Sequence, residues 1–264
     1  MQRACTACVA IAFALVAALQ PARADLQQIL AQGVIHIGTQ LDSPPFGLID
    51  ADGKPTGMDI ELGQMIAKAL GVKYDLVQDT GANRIPYLLT KKVDILISAI
   101  GVTPQRATQI MYTAPYADAY IGVFGPAKFK VTDPSQLGSL TIACTQGTTQ
   151  DIWLSHLAPQ AHIVRFQDDA TSGTAFMSGQ TDLIATLNTV ADAFAKREPS
   201  LDIGMKFKLR DSPAHIAVRQ GDFALLQWLN TYLFYIKIDG ELQQLGLKWL
   251  GPSQAQNLQA LPPF

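Results

Sequence analysis

The stretch NRIPYLLTKKVDILISAIGVTPQR, residues 83–106, decides the architecture. Residues 83–91 read as a helix and residues 93–98 as an apolar strand. Thr103-Pro104 then opens a second helix, because threonine suits the N-cap and proline the first helical position. A helix, an apolar strand and a helix in succession belong to an α/β sheet. The arrangement sets Arg84 and Arg106 at the starts of successive helices, one on either side of the strand. A guanidinium is permanently charged and planar and grips carboxylates with paired hydrogen bonds, so the two arginines predict a small anionic ligand.

The pattern extends in both directions. Upstream, residues 34–39 read as a strand. A helix follows that Asp59 is expected to cap, with Leu62, Met65, Ile66, Ala69 and Leu70 at helical spacing and Gly71 as its stop. Residues 72–77 supply another strand, which completes a β-α-β-α-β unit with a parallel sheet. Downstream the same alternation recurs, with strands at 140–144, 163–166 and 182–186 and helices at 149–157 and 170–177. Extended segments near 119–124 and 207–213 are placed as two crossings between lobes, a two-segment hinge. A strand at 215–218 and helices at 223–238 and 241–250 return to the first lobe. The expected fold is therefore α/β and two-lobed, each lobe a parallel-rich sheet flanked by helices, with divisions at 25–118, 119–209 and 210–264. Ligands of open α/β sheets bind outside the carboxyl ends of the strands, so the loops after residues 39, 77, 98, 144, 166 and 186 should face one cleft.

Residues 1–24 have the parts of a secretory signal: Arg3, an apolar run over 9–19, and Ala22-Arg23-Ala24 as the cleavage site. The mature chain is expected to begin at Asp25 and to reside in the periplasm. No cysteine stands at the cleavage point, which argues against lipid anchoring. Only Cys144 remains after cleavage, so an internal disulfide is excluded and stability must come from packing. Loss of Arg3 and Arg23 leaves 18 basic against 22 acidic side chains, a net −4 that disfavours nucleic acid or an anionic membrane as partner. His36, His156, His162 and His215 have no metal-ligand spacing. A monomer without metal or cofactor is expected.

A motif series runs through nearly the whole chain beyond residue 24: LDSPPFG at 41–47, PTGMDIELGQMIAKALGVK at 55–73, NRIPYLLTKKVD at 83–94, ISAIGVTPQR at 97–106, QGTTQD at 146–151, SGQTD at 178–182 and LKWLG at 247–251. In these motifs and their order the chain resembles the periplasmic polar amino-acid binding proteins of ABC importers, the bacterial extracellular solute-binding proteins of family 3. Its NRIP run is that of the glutamate/aspartate branch. The resemblance implies a type II periplasmic-binding-protein fold, a clamp that closes on its ligand and is read by the importer's membrane subunits. It implies that Arg106 holds the ligand α-carboxylate, helped by the amides of Gly101 and Thr149 and the hydroxyls of Thr148 and Thr149, with Ser98 and Thr103 framing the same turn. It also implies that Arg84 reaches a side-chain carboxylate, which favours an acidic amino acid. Phe46 is expected to cover the ligand's methylenes or else to be plain core. Asp42, before PPF, resembles the arrangement in binders of basic amino acids, and equally could pair with Arg84 or cap the turn before Pro44.

The chain departs from the family at one position that bears on the ligand. The aspartate that usually holds the ligand ammonium falls at Leu187, followed by Asn188. A buried ammonium needs an acid, so either Asp169 and Asn188 take over or the ligand carries no ammonium. The first leads to an amino acid, the second to a dicarboxylate or keto acid. An enzyme similar to cyclohexadienyl dehydratases, with Asp169 as general acid, is the catalytic alternative.

Overall fold

The structure, a computed structural model, describes residues 25–252, so the signal segment lies outside it. In chain order the elements are α1 (Asp25–Gln32), β1 (Val34–Thr39), β2 (Asp42–Ser43), β3 (Gly47–Ile49), β4 (Pro55–Thr56), α2 (Met58–Leu70), β5 (Lys73–Gln78), α3 (Arg84–Leu89), β6 (Ile95–Ile100), α4 (Pro104–Ala107) and β7 (Ile110–Ala117). There follow β8 (Tyr120–Pro126), β9 (Thr141–Thr145), α5 (Thr149–Leu157), β10 (His162–Phe166), α6 (Asp169–Met177), β11 (Leu183–Leu187), α7 (Asn188–Arg197), β12 (Ile203–Asp211), β13 (Ala214–Arg219), α8 (Phe223–Ile238) and α9 (Glu241–Trp249).

Two five-stranded sheets, β5-β1-β6-β13-β7 and β10-β9-β11-β8-β12, form the cores of two lobes. Each joins three parallel strands to an antiparallel pair. The central parallel strands β6 and β11 are buried at every position and accordingly read as mostly apolar runs, whereas the edge strands β5 and β10 are partly exposed. α8 lays Leu225, Leu229, Leu233 and Ile236 into the first sheet's core at helical spacing. α9 is tied to α2 by Glu61, which accepts from Lys248 Nζ at 2.6 Å and Trp249 Nε1 at 2.9 Å.

The helix of residues 58–70 does stop at a left-handed Gly71, but Asp59 does not cap it. Pro45 and Phe46 offer their carbonyls to the N–H groups of Met58 and Asp59, so the helix start is satisfied by the backbone of the preceding loop. The Asp59 carboxylate turns inward, accepting from Tyr116 OH at 2.7 Å and Ala99 N–H at 2.9 Å. Phe46 is 1% exposed and belongs to the core, held there by the small sheet β2-β3-β4.

The chain crosses between the sheets twice, from β7 to β8 and from β12 to β13. The two crossings run side by side: Ala117 pairs with Ala214, Tyr120 with Asp211, and Ser212 N–H donates to Ala119 O at 2.9 Å between them. Asn188, at the start of α7, accepts from Tyr120 N–H at 3.0 Å and pins one crossing to the second lobe.

The lobes meet across the cleft. A Cβ on Gly81 would lie 2.8 Å from both Gln146 O and Thr148 Cγ2, and one on Gly147 would lie 3.1 Å from Gly81 O. Asp42 of the first lobe accepts from Ala170 N–H in the first turn of α6 at 3.0 Å. Backbone in contact with backbone leaves no room for a methyl group. Gly81→Ala should therefore hold the lobes apart without disturbing either core. Small-angle scattering should give a larger radius of gyration than the parent with an unchanged circular-dichroism spectrum, and identical scattering would refute this account of closure.

Candidate functional site

Between the lobes lies a small cavity of about 10 Å³, far below the roughly 300–1,000 Å³ of pockets for drug-sized molecules, so the lobes stand closed upon it. The first lobe lines it with Gln40, Ser43, Arg84 and Ala99, the second with Thr148, Thr149, Gln150, Asp169 and Leu187. Each follows or ends a parallel strand at its carboxyl end, where the sheet topology directs a ligand.

One corner is built around Arg106. Thr103 caps α4 by accepting from Arg106 N–H at 3.1 Å, which fixes the base of the side chain. The guanidinium donates to Gly101 O of the first lobe and Gly147 O of the second, each at 2.8 Å. Gly101 faces Thr149, the first residue of α5, and Thr148 is that helix's N-cap, its hydroxyl also donating to Thr145 O at 2.6 Å. The open N–H groups of a helix start favour an anion there. Burial, and next the nearby Arg84, push the Arg106 pKa down to about 9.

The other corner is built around Arg84, 3% exposed at the start of α3. Its Nη1 donates to Ser98 O at 2.8 Å and Gln40 Oε1 at 3.1 Å, while its Nε and the Gln40 Nε2 are buried donors with no partner in the protein. Ser98 Oγ donates to Asp79 Oδ1 at 2.9 Å. Opposite, Asp169 at the start of α6 accepts from Thr145 Oγ1 and is hydrogen-bonded to Ser43. Burial and then the charge of Asp42 raise its pKa to about 6. Among the described residues neither arginine forms an ion pair.

The structure thus brings Arg84, Thr148, Thr149 and Asp169 to the cavity wall, with Ser98, Gly101, Thr103 and Arg106 directly behind it. Three expected site residues stand elsewhere. Phe46 is in the core, Asn188 gives its carbonyl oxygen to the hinge, and Asp42 bridges to α6 rather than pairing with Arg84. Gln40, Ser43, Ala99 and Gln150 were not anticipated, although Gln40 and Ser43 fall in the loop after the first strand, which was expected to face the cleft.

Asp79 is a buried carboxyl beneath the wall. Its Oδ2 has no hydrogen-bond partner, and burial raises its pKa from 3.8 to about 7 against the opposing pull of Arg84 and Ser98. A carboxyl whose folded pKa is raised gives stability that is complete below its unfolded pKa and lost as pH rises through the folded value. Asp79→Asn keeps an oxygen for Ser98 and removes the ionisation. Its melting temperature should match the parent at pH 4 and exceed it by about 2–4 °C at pH 8. A deficit at pH 8 would show that the charge is needed there.

Residues 35–252 match the model for bacterial extracellular solute-binding proteins, family 3. The chain is 28% identical over 226 residues to the putative ABC transporter arginine-binding protein 2 of Escherichia coli (strain K12), covering 83% of this chain and 91% of that one. It is 27% identical to an ABC transporter glutamine-binding protein of Bacillus subtilis (strain 168), covering 84% and 83%. Among solved structures it superposes with a TM-score of 0.79, at 31% identity over 85% of this chain and 99% of the other, on the ancestral amino acid-binding protein AncCDT-1, a precursor of cyclohexadienyl dehydratase.

Proposed function

The chain belongs to the bacterial extracellular solute-binding proteins, family 3, and from that premise we propose that it captures a polar amino acid between its lobes in the periplasm and hands it to the membrane subunits of an ABC importer. The observation that carries this reading is the buried pair of Arg84, on the cavity wall, and Arg106, behind it, each bonded to neutral oxygens and neither ion-paired among the described residues. A buried cation without a counterion is unfavourable, and a bound carboxylate removes that penalty while joining the lobes. The carboxylate fits the corner of Arg106, Gly101 and the start of α5, where a cation and a helix N-terminus converge. Binding then requires no covalent step.

Relatives named for arginine and glutamine support an amino acid as ligand without pointing to an acidic one. A second reading, an enzyme, rests on Asp169, a cavity acid with a pKa raised to about 6 that is suited to donate a proton, and on the likeness to a precursor of cyclohexadienyl dehydratase.

A thermal-shift titration separates the readings. L-arginine, L-glutamine, L-cystine and L-glutamate, with glutarate, 2-oxoglutarate and prephenate as controls, should give stabilisation by amino acids that grows with concentration. Arg106→Ala should reduce affinity for every carboxylate ligand by about 100-fold, the loss expected for a buried charged hydrogen-bond donor. Stabilisation by the ammonium-free acids alone would replace the amino acid with a dicarboxylate, and turnover of prephenate would establish the enzyme.

A further inference from the structure

The amino-acid reading leaves open which group answers the ligand's positive charge. Among the described residues Asp169 is the one acid that lines the cavity. Asp59 and Asp79 are buried beneath its wall, bonded to Ala99 and Ser98, and Asp42 is bonded to Ala170. Asp169 is itself buried, 7% exposed, and forms no ion pair among the described residues. Its hydrogen bonds to the Thr145 and Ser43 hydroxyls leave part of a carboxylate's capacity of about four acceptor sites open. Burial, and next the like charge of Asp42 on the opposing lobe, make its ionised form costly. In an α-amino acid the ammonium and the carboxylate sit on one carbon, so the group that takes the ammonium must share a wall with the carboxylate corner. Asp169 meets that condition, because Thr148 and Thr149 of that corner line the same cavity. Leu187 on this wall carries no charge, and Asn188 after it is turned to Tyr120.

We propose that Asp169 receives the ammonium of the captured amino acid, so that the ligand is held as a zwitterion with its carboxylate toward Arg106 and the start of α5. Pairing removes an uncompensated buried charge from each partner and relieves the repulsion between Asp169 and Asp42 that closure creates. Arg106 belongs to the first lobe and Asp169 to the second, so one small molecule satisfies both only when the cleft is shut. Held in this way Asp169 is an acceptor, not the proton donor that an enzyme would need. The site then takes acids that carry an α-ammonium and discriminates against keto acids and plain dicarboxylates, whose binding would leave Asp169 unanswered.

The inference rests on the amino-acid reading, and calorimetric titration with pairs of acids that differ only in the ammonium tests the two separately. The pairs are L-glutamine and glutaramate, L-arginine and δ-guanidinovalerate, and L-glutamate and glutarate. An amino acid that binds the parent should exceed its deaminated partner by at least about 30-fold. In Asp169→Asn that ratio should fall by at least about tenfold, with the deaminated acid bound no more weakly than by the parent. The parent alone supplies a second measurement that does not depend on a variant folding. Its ratio should fall by about tenfold between roughly pH 7.5 and pH 5, as Asp169 takes up a proton through about pH 6. Arg84 faces Asp169 across the cavity. On the elements packed against α6 the other charged or titratable groups are Asp42, the buried thiol of Cys144, the exposed His162, and Arg165, which is turned to Asp151. A preference for the amino acid that survives Asp169→Asn, or a substitution that weakens both members of a pair alike, overturns the ammonium site while the amino-acid reading stands. Absence of binding by every amino acid overturns both.

Discussion

Everything at the cleft follows from burying guanidinium groups without giving them carboxylates. Arg84 and Arg106 are each held by neutral oxygens, which fix direction but supply no countercharge. The acids are close yet displaced: Asp79 sits under Ser98, Asp59 under Ala99, and Asp169 across the cavity. Direct ion pairs would have neutralised the arginines within the protein and left nothing for a ligand to complete. Displaced acids temper the positive field while keeping donors open, and their own pKa values rise through burial as a consequence.

The architecture was legible because the elements that define it have strong local signals. The strand at Val34–Thr39 and the helices at Thr149–Leu157 and Phe223–Ile238 have the bounds read from apolar spacing and caps. The carboxyl-end rule also pointed to the cavity wall, since Arg84, Thr148, Thr149 and Asp169 all lie at the ends of the loops it selects or at the helix starts that follow them. Direction within a loop was not legible. Asn188 directly follows β11, yet its amide turns to Tyr120 in the hinge. Asp59 has the composition of a cap, but carbonyls from Pro45 and Phe46 had already taken the cap's place. Gln40 has no charge to draw attention, and only the approach of Arg84 from a distant part of the sequence gives it meaning.

The contacts that close the lobes are of a kind that can open again. They consist of glycine backbone against backbone, a guanidinium shared by two carbonyls, and the Asp42 carboxylate at the start of a helix in the other lobe. None buries a large apolar surface, so water replaces each of them at modest cost. The hinge limits how they part. Two crossings bonded to each other through Ser212 and Ala119 resist sliding, and Asn188 fastens one of them to the second lobe, so rotation about the crossing pair is the motion left. A rotation there moves the strand ends of both sheets together. Arg84 and Asp169, on opposite lobes, therefore separate as the cleft opens and share one cavity wall only when it closes.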